Sequence, residues 1–416
     1  MNTAKPFTIP KGLVYEAFEA VKANAGTAGV DKETIADFEA DLKNNLYRLW
    51  NRMSSGSYFP PPVKAVAIPK KNGGERILGV PTVSDRVAQT VVKMLIEPIL
   101  EPIFLPDSYG YRPGKSALDA VAITRERCWQ YDWVLEFDIK GLFDNIDHAL
   151  IGKAIEKHLE CKWVRLYIER WLKAPLQAGG DTLVERTKGT PQGGVVSPCI
   201  ANLFLHYAFD VWMTRTFPGV PWCRYADDGL VHCKTEAEAL TIMAALKERL
   251  AECGLEMHPD KTQVVYCKDG RRKERHPITK FDFLGYTFRP RVAKNRKRNI
   301  LFVNFTPAVS AKALKSMRQR TRKLNYRNRT DLSLRDISRL HNPILRGWVA
   351  YYGKFYPSAL YPIFRHFNQT LVAWAMRKYR RLKGHKTRAC IFLENTAKKQ
   401  PRLFVHWQRG TVGAFA

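Results

Sequence analysis

Three acidic side chains have the types and the spacing for chemistry on a phosphate. Asp227 and Asp228 stand side by side in "CRYADDGLVHC", between two short apolar runs, and Asp138 closes the apolar run "WVLEFDI". Taken alone, Asp-Asp-Gly is ordinary turn chemistry, because Asp and Gly tolerate positive φ. Two like charges about 4 Å apart also repel by roughly 4 kcal/mol at an effective dielectric near 20, a cost that a bound Mg²⁺ removes. Asp138 has no comparable explanation, since an acid that ends an apolar strand lies on no solvated face. Acids at the ends of neighbouring strands would hold two Mg²⁺ about 4 Å apart, which activates the attacking oxygen and neutralises the leaving one in an in-line phosphoryl transfer. Mg²⁺ keeps part of its shell for water and substrate phosphates, so few protein carboxylates are needed.

The elements that must position these acids are legible in outline. Val134 to Ile139 reads as a strand, and the stretch after Asp144 as a helix. "TKGTPQGGVVSPCIANLFLHYAFDVWM" is a Gly/Pro turn feeding one long apolar helix, and the acid hairpin follows it. "VKAVAIP" alternates as a strand does, "KKNGGER" is a hairpin-like turn, and "ILGVP" returns. "SDRVAQTVVKMLIEPILEPIF" opens on a Ser N-cap signal and predicts a helix. "KETIADFEADLKNNLYRLWNRM" has helical periodicity interrupted near Tyr47. "TEAEALTIMAALKERLAECG" predicts a helix with a Gly C-cap. "FDFLGYTFRP" and "NILFVNF" read as strands on either side of a basic linker. Beyond Thr306 the pattern is helical and basic. Leu314, Met317, Thr321 and Leu324 form one stripe, with Lys315, Arg318 and Arg322 beside it, and Phe364, Phe367, Leu371 and Trp374 form another.

The 416 residues carry a formal charge of +29, unevenly spread. From Phe281 onward 30 Lys+Arg face 4 Asp+Glu, a net +26, while the first 280 residues hold 38 against 35, a net +3. A near-neutral front and a strongly basic back point to a folded module joined to one that binds a polyanion, nucleic acid above all. With about ten phosphates contacted, the log–log salt slope of binding would be roughly −7 to −9. The longest apolar stretch, "VVKMLIEPILEPIFLP", is broken by Lys93, Glu97, Glu101 and prolines, so no membrane span is expected. "MNTAKPFTIPKG" has no apolar core for a secretory signal. The eight cysteines include no Cys-x-x-Cys pair, which argues against a zinc site and for a reducing compartment.

In order along the chain, "FDIKGLFDNI", "GTPQGGVVSP", "RYADDGLVHC", "GLEMHPDKTQVV" and "FDFLGYTF" resemble the palm motifs of a reverse transcriptase. Upstream, "AIPKKNGGERILGVPTVSDRVAQ" and "SYGYRPGKSALDAV" are similar to the finger motifs of the group II intron branch, and "NPILRGWVAYYGKF" resembles its maturase, or thumb, segment. The resemblance implies an α+β right-hand polymerase with an antiparallel palm sheet and a helical thumb/maturase domain. It divides the chain into an N-terminal extension (1–50), fingers and palm (51–300), thumb/maturase (301–381) and a basic C-terminal RNA/DNA-binding tail (382–416). It also implies that Asp138, Asp227 and Asp228 are the catalytic acids and that two Mg²⁺ are held by Asp138, Asp227 and the Ile139 carbonyl. Asp228 is either a further ligand or a residue that shapes the turn.

By the same resemblance Phe143 blocks a ribose 2′-hydroxyl, with core packing as the alternative. Gln192 binds substrate from a loop where Gly193 and Gly194 allow close approach. Lys70 and Arg76 clamp triphosphate oxygens, with Lys71 a rival for Lys70. Lys261 protonates the departing pyrophosphate, and Gly285 supports the primer end. Trp348, Tyr351 and Tyr352 are candidates for stacking on RNA bases, and Trp348 fits core packing better. The implied partners are intron RNA, an RNA template, a DNA primer or target and dNTPs, in a bacterial cytoplasmic ribonucleoprotein and not at a membrane. Many relatives continue into a zinc-bearing HNH endonuclease; here no paired cysteines follow, so priming from existing nicks or fork ends is expected. An RNA-dependent RNA polymerase shares the palm acids, and Phe143 argues against it. A relict, non-catalytic splicing factor is disfavoured by the intact acids. Reverse transcriptases of other lineages lack the segment after Thr306.

Overall fold

A computed structural model describes residues 5–69, 74–179, 182–295, 299–411 and 415. Packing divides the chain into two compact units, residues 1–120 with 135–263 and residues 121–134 with 264–416. The strands are β1 Val63–Pro69, β2 Glu75–Val80, β3 Trp133–Asp138, β4 Leu176–Ala178, β5 Thr182–Val184 and β6 Trp222–Tyr225. They continue with β7 Asp228–Cys233, β8 Gln263–Tyr266, β9 Phe281–Phe283, β10 Tyr286–Asn295 and β11 Ile300–Val309. No helix among the described residues is long and apolar enough to cross a membrane.

The first unit holds a sheet in the order β2–β1–β4–β5. Its antiparallel β1/β2 pair runs from Lys64↔Val80 to Pro69↔Glu75, and β4 joins β1 in parallel. A second sheet brings β6, β7 and β3 side by side. Between β2 and β3 in sequence lies the helix Val83–Leu100, buried on nearly every side over its first ten residues, as expected of a helix at the centre of a core. Its N-cap is Thr82, not the Ser84 expected from the pattern. Thr82 is extended and accepts from the Asp85 amide, which leaves Ser84 inside the first turn. Asp85 is fully buried and accepts from Tyr58, Trp171 and Gln89. The predicted helix over 32–53 is two helices, Ile35–Ala40 and Leu42–Ser55. A Thr34–Asp37 capping box starts the first, and Asp41 (φ −122°, ψ 44°) leaves helical geometry between them.

The long apolar helix after "PQGG" is there, but not uniform. Ser197–Leu205 is α-helical, His206–Asp210 widens into a π segment, and Val211–Thr216 resumes the α form. Such bulges concentrate at functional sites.

The second unit joins the sheet β11–β10–β9 to four long helices, Ala311–Lys323, Leu334–Tyr352, Tyr361–Lys378 and Lys386–Lys399. The two aromatic and aliphatic stripes face inward. Phe364, Phe367, Leu371 and Trp374 are each at most 1% exposed, while Lys315 and Arg322 stay in solvent. The segment read as a basic RNA/DNA-binding tail is folded where it is described: Leu393, Phe404, Trp407 and Phe415 are buried in the same core, so 382–411 packs as part of the helical unit. A chain end with that many large apolar groups has more to gain from burial than from solvation. Tyr351 and Tyr352 pack against Tyr286, and Tyr351 donates to the Leu284 carbonyl. They brace the β9–β10 turn, and Trp348 is 9% exposed in the core.

His341 lies at the centre of that core, stacked on Phe367 at 3.9 Å with Tyr326 and Trp348 edge-on. Neither ring nitrogen has a hydrogen-bond partner among the described residues. Burial, and secondarily Arg320, push its pKa down to about 3. The folded state therefore keeps the ring neutral while the unfolded state takes up a proton below about pH 6.5. Stability is unaffected above that pH and falls as pH drops from about 6.5 toward 3. His341→Phe is expected to make the slope of unfolding free energy between pH 6 and 4.5 shallower by roughly one proton, about 1.4 kcal/mol per pH unit. An unchanged slope in pH-dependent urea unfolding contradicts this.

Candidate active site

β6 and β7 form a two-residue hairpin in which Tyr225 pairs with Asp228, so the loop is Ala226–Asp227. This corrects the simple turn reading of Asp-Asp-Gly. The left-handed residue is Ala226 (φ 56°), while Asp228 and Gly229 already belong to β7. Positive φ at the first loop residue alone is the pattern of a type II′ turn, whose first position normally takes Gly. Gly229 is required for a different reason: a Cβ there would lie 2.1 Å from the Phe137 ring. That contact lets β7 press against β3 and brings the end of β3 level with the acid turn. The Ile139 amide then donates to the Asp227 carbonyl at 3.2 Å. Asp138, 7% exposed, is thus gathered with Asp227 and Asp228.

The electrostatics follow from this crowding. Burial, then Asp227 and Asp138, push the Asp228 carboxyl up to about 7, and it shares a hydrogen bond with Asp138. Burial, then Asp138, raise Asp227 as well. The Lys261 ammonium lies 2.8 Å from Asp138 Oδ2. Burial works against its charge, but the Asp138 hydrogen bond and the three acids outweigh that and raise its pKa. Among the described residues no three His, Cys, Asp or Glu side chains converge as ligands of one metal ion. The donor set nevertheless suits Mg²⁺, being all carboxylate oxygen with excess negative charge, and Mg²⁺ asks for only one or two protein carboxylates beside substrate phosphates.

The remaining sequence candidates fall into three groups. Phe143 stands on the short helix Leu142–Asn145, half-buried, and is not a core residue. Its carbonyl accepts from Thr190. Gln192 is half-buried beside β2, its carbonyl accepting from the Gly79 amide at 2.7 Å, and a Cβ on Gly193 would lie 2.5 Å from the Gly79 oxygen. Arg76 is exposed on β2 and is close enough to Tyr111 to act on its hydroxyl, as are Asp227 and Asp228. Gly285 (φ 80°) belongs to the second unit, in the β9–β10 turn against Tyr352. Lys70 and Lys71 lie outside the described residues.

What sequence reasoning missed is the support beneath the turn. The Arg224 guanidinium is wholly buried and all five of its N–H groups are used. Nε and Nη2 bind both oxygens of Asp210 at 2.7 Å, Nη2 also donates to Ser108 Oγ, and Nη1 donates to Asn202 Oδ1 and the Ala226 carbonyl. The pair is 0% exposed on both sides. A lone Asp in the apolar run "ANLFLHYAFDVW" was the available signal, because a buried acid needs a partner. The π segment ends at Asp210. A loop on the far side completes the support: Tyr109 N donates to the Arg224 carbonyl, Arg224 N to the Asp107 carbonyl, and Asn202 to the Gly110 carbonyl.

Breaking such a pair from one side leaves an uncompensated buried charge. Asp210→Asn is expected to lose about 3–5 kcal/mol of stability, and joint replacement by Arg224→Met and Asp210→Leu to lose less than either single change. Urea unfolding of Asp210→Asn, Arg224→Met, Asp210→Leu and the double variant checks this, and a double variant that loses the sum of Arg224→Met and Asp210→Leu contradicts it.

Residues 68–288 match the family described as reverse transcriptase (RNA-dependent DNA polymerase), and residues 314–390 match the group II intron maturase-specific domain. The group II intron-encoded protein LtrA of Lactococcus lactis subsp. cremoris is 35% identical over 198 residues, 47% of this chain and 32% of that protein. Protein YkfC of Escherichia coli K12 is 30% identical over 312 residues, 66% of this chain and 78% of that protein. An uncharacterized 91 kDa protein in the cob intron of Schizosaccharomyces pombe is 30% identical over 212 residues, 49% of this chain and 25% of that protein. The chain spans about a third of the length of LtrA. With the match to the polymerase family covering more than half of the chain and YkfC matched over most of its own length, the chain belongs to the reverse transcriptase family and carries a group II intron maturase-specific domain.

Proposed function

We propose that the protein is an RNA-directed DNA polymerase that also binds group II intron RNA as a maturase and copies it into DNA. The observation that carries this reading is the meeting of Asp138 with the Asp227–Asp228 turn, fastened by the Ile139–Asp227 backbone bond and flanked by Lys261. On this reading residues 51–300 serve as fingers and palm, 301–381 as thumb and maturase domain, and 382–416 as the basic RNA/DNA-binding segment.

Asp138 and Asp227, with the Ile139 carbonyl, would hold Mg²⁺, and Asp228 would hold it or keep the turn in shape. Bound there, Mg²⁺ supplies charge neutralisation at the attacking and leaving oxygens of an in-line displacement. The residues of the chain do the rest. Lys261, kept protonated by the acids beside it, holds the proton that departing pyrophosphate needs. Arg76 and Lys70 would clamp the triphosphate, and Gln192 would orient substrate from a loop braced on Gly79. Phe143, half-buried and not packed away, presents a ring where a ribose 2′-hydroxyl would meet it, so dNTPs are the substrates. The second unit, with the +26 carried from Phe281 onward, supplies the charge that intron RNA, template and DNA primer would need.

Primer extension on an RNA template with Mg²⁺ and dNTPs tests the catalytic half. The chain is expected to make DNA, and Asp227→Ala to fall to background; no product, or product indifferent to Asp227→Ala, refutes the reading. Splicing of the cognate intron at low Mg²⁺ tests the maturase half. Added protein is expected to accelerate it, including the Asp227→Ala protein, since that change leaves the basic unit intact; equal rates with and without protein count against it.

A further inference from the structure

Tyr111 has a backbone that a bulky residue rarely adopts, with φ at 57°. Strain of this kind persists only where the surroundings over-determine it, and it gathers at active sites. Both neighbours of Tyr111 are pinned. On one side the Arg112 guanidinium grips Glu101 and donates to the Leu105 and Ser108 carbonyls at 2.6 and 2.7 Å. On the other, Gly110 is pressed so closely on the acid turn that a Cβ would lie 2.4 Å from the Ala226 nitrogen, and its carbonyl is held by Asn202 at 2.7 Å. Between these fixed points the Tyr111 ring, half exposed, meets the Phe143 ring edge-on, with centroids 6.4 Å apart at 79°. Its hydroxyl is raised by burial first and then by Asp227 and Tyr225.

Phe143 has less support of its own. It stands on a four-residue helix that starts from Gly141 in the left-handed region, with its carbonyl accepting from the Thr190 amide. Tyr111 is the aromatic contact found for its ring among the described residues.

We propose that Tyr111 is a positioning residue which fixes the Phe143 ring relative to the acid turn, so that discrimination between deoxyribose and ribose needs an aromatic ring at position 111. This rests on the reading of Phe143 as the sugar gate. The strained loop is the link: one short segment, Asp107–Arg112, touches the acid turn through Gly110 and the gate through Tyr111, and transmits the position of one to the other.

The test is single-nucleotide primer extension with a matched dNTP and rNTP, comparing kcat/KM ratios. The full chain is used with Tyr111→Phe, Tyr111→Asn, Tyr111→Leu, Phe143→Ala and the double variant Tyr111→Asn/Phe143→Ala. Asn tolerates the left-handed region, so Tyr111→Asn removes the ring without adding strain, and Leu is the second ring-free variant. Tyr111→Phe is expected to keep the wild-type ratio. The ring-free variants are expected to lower it roughly three- to tenfold, the scale of one aromatic pair, through better use of the rNTP. The double variant is expected to match Phe143→Ala. Phe143→Ala lowering the ratio while both ring-free variants keep it, or the two changes multiplying in the double variant, overturns the inference and leaves the gate standing. Phe143→Ala leaving the ratio unchanged overturns the gate itself, and this inference with it.

Discussion

The buried pair between Arg224 and Asp210 is the interaction on which the site depends. It joins three segments distant in sequence: the helix with the π segment, the loop at Ser108–Gly110, and the hairpin that carries Asp227. A buried ion pair is weak support for stability as such. Its contribution here is geometric. Five N–H groups with five acceptors leave the guanidinium one orientation, and that orientation ends at the carbonyl of Ala226, the residue held in the left-handed region. The acids above it are desolvated and repel one another, so without a fixed floor the turn would relax by moving them apart.

Close backbone approach does the remaining work. Gly229 under the Phe137 ring brings β7 against β3, and Gly110 against Ala226 brings the neighbouring loop against the turn. Two non-glycine residues near the acids, Ala226 and Tyr111, have positive φ, and the π segment lies in the helix that supplies Asp210. Local departures from ideal geometry thus cluster around Asp138, Asp227 and Asp228, where the surrounding packing is dense enough to hold them.

Much of this was legible in sequence. β3 with Asp138 at its end, the acid hairpin and the apolar stripes of the helical unit follow from periodicity and from acids in apolar settings. The rest was hidden for physical reasons. Asp-Asp-Gly looks like a turn, yet its glycine is needed for a ring that arrives from another strand. Ser84 is the better N-cap of the two by type, and only the extended backbone of Thr82 decides for Thr82. A basic composition hid the buried Phe404 and Trp407, because charge along the sequence does not tell which side chains face inward. Asp210 and Arg224 lie fourteen residues apart with no local pattern to pair them.

The central claim is that acids from two strand ends act as one cation site. The direct test replaces Mg²⁺ by Fe²⁺ in the protein bound to RNA template, a chain-terminated primer and the next dNTP, then cleaves the backbone with ascorbate and peroxide. The account predicts cuts at two places only, around Asp138 and around Asp227–Asp228, both suppressed by excess Mg²⁺ and both lost in Asp227→Asn. Cuts confined to one of the two segments, or lying elsewhere in the chain, would contradict it.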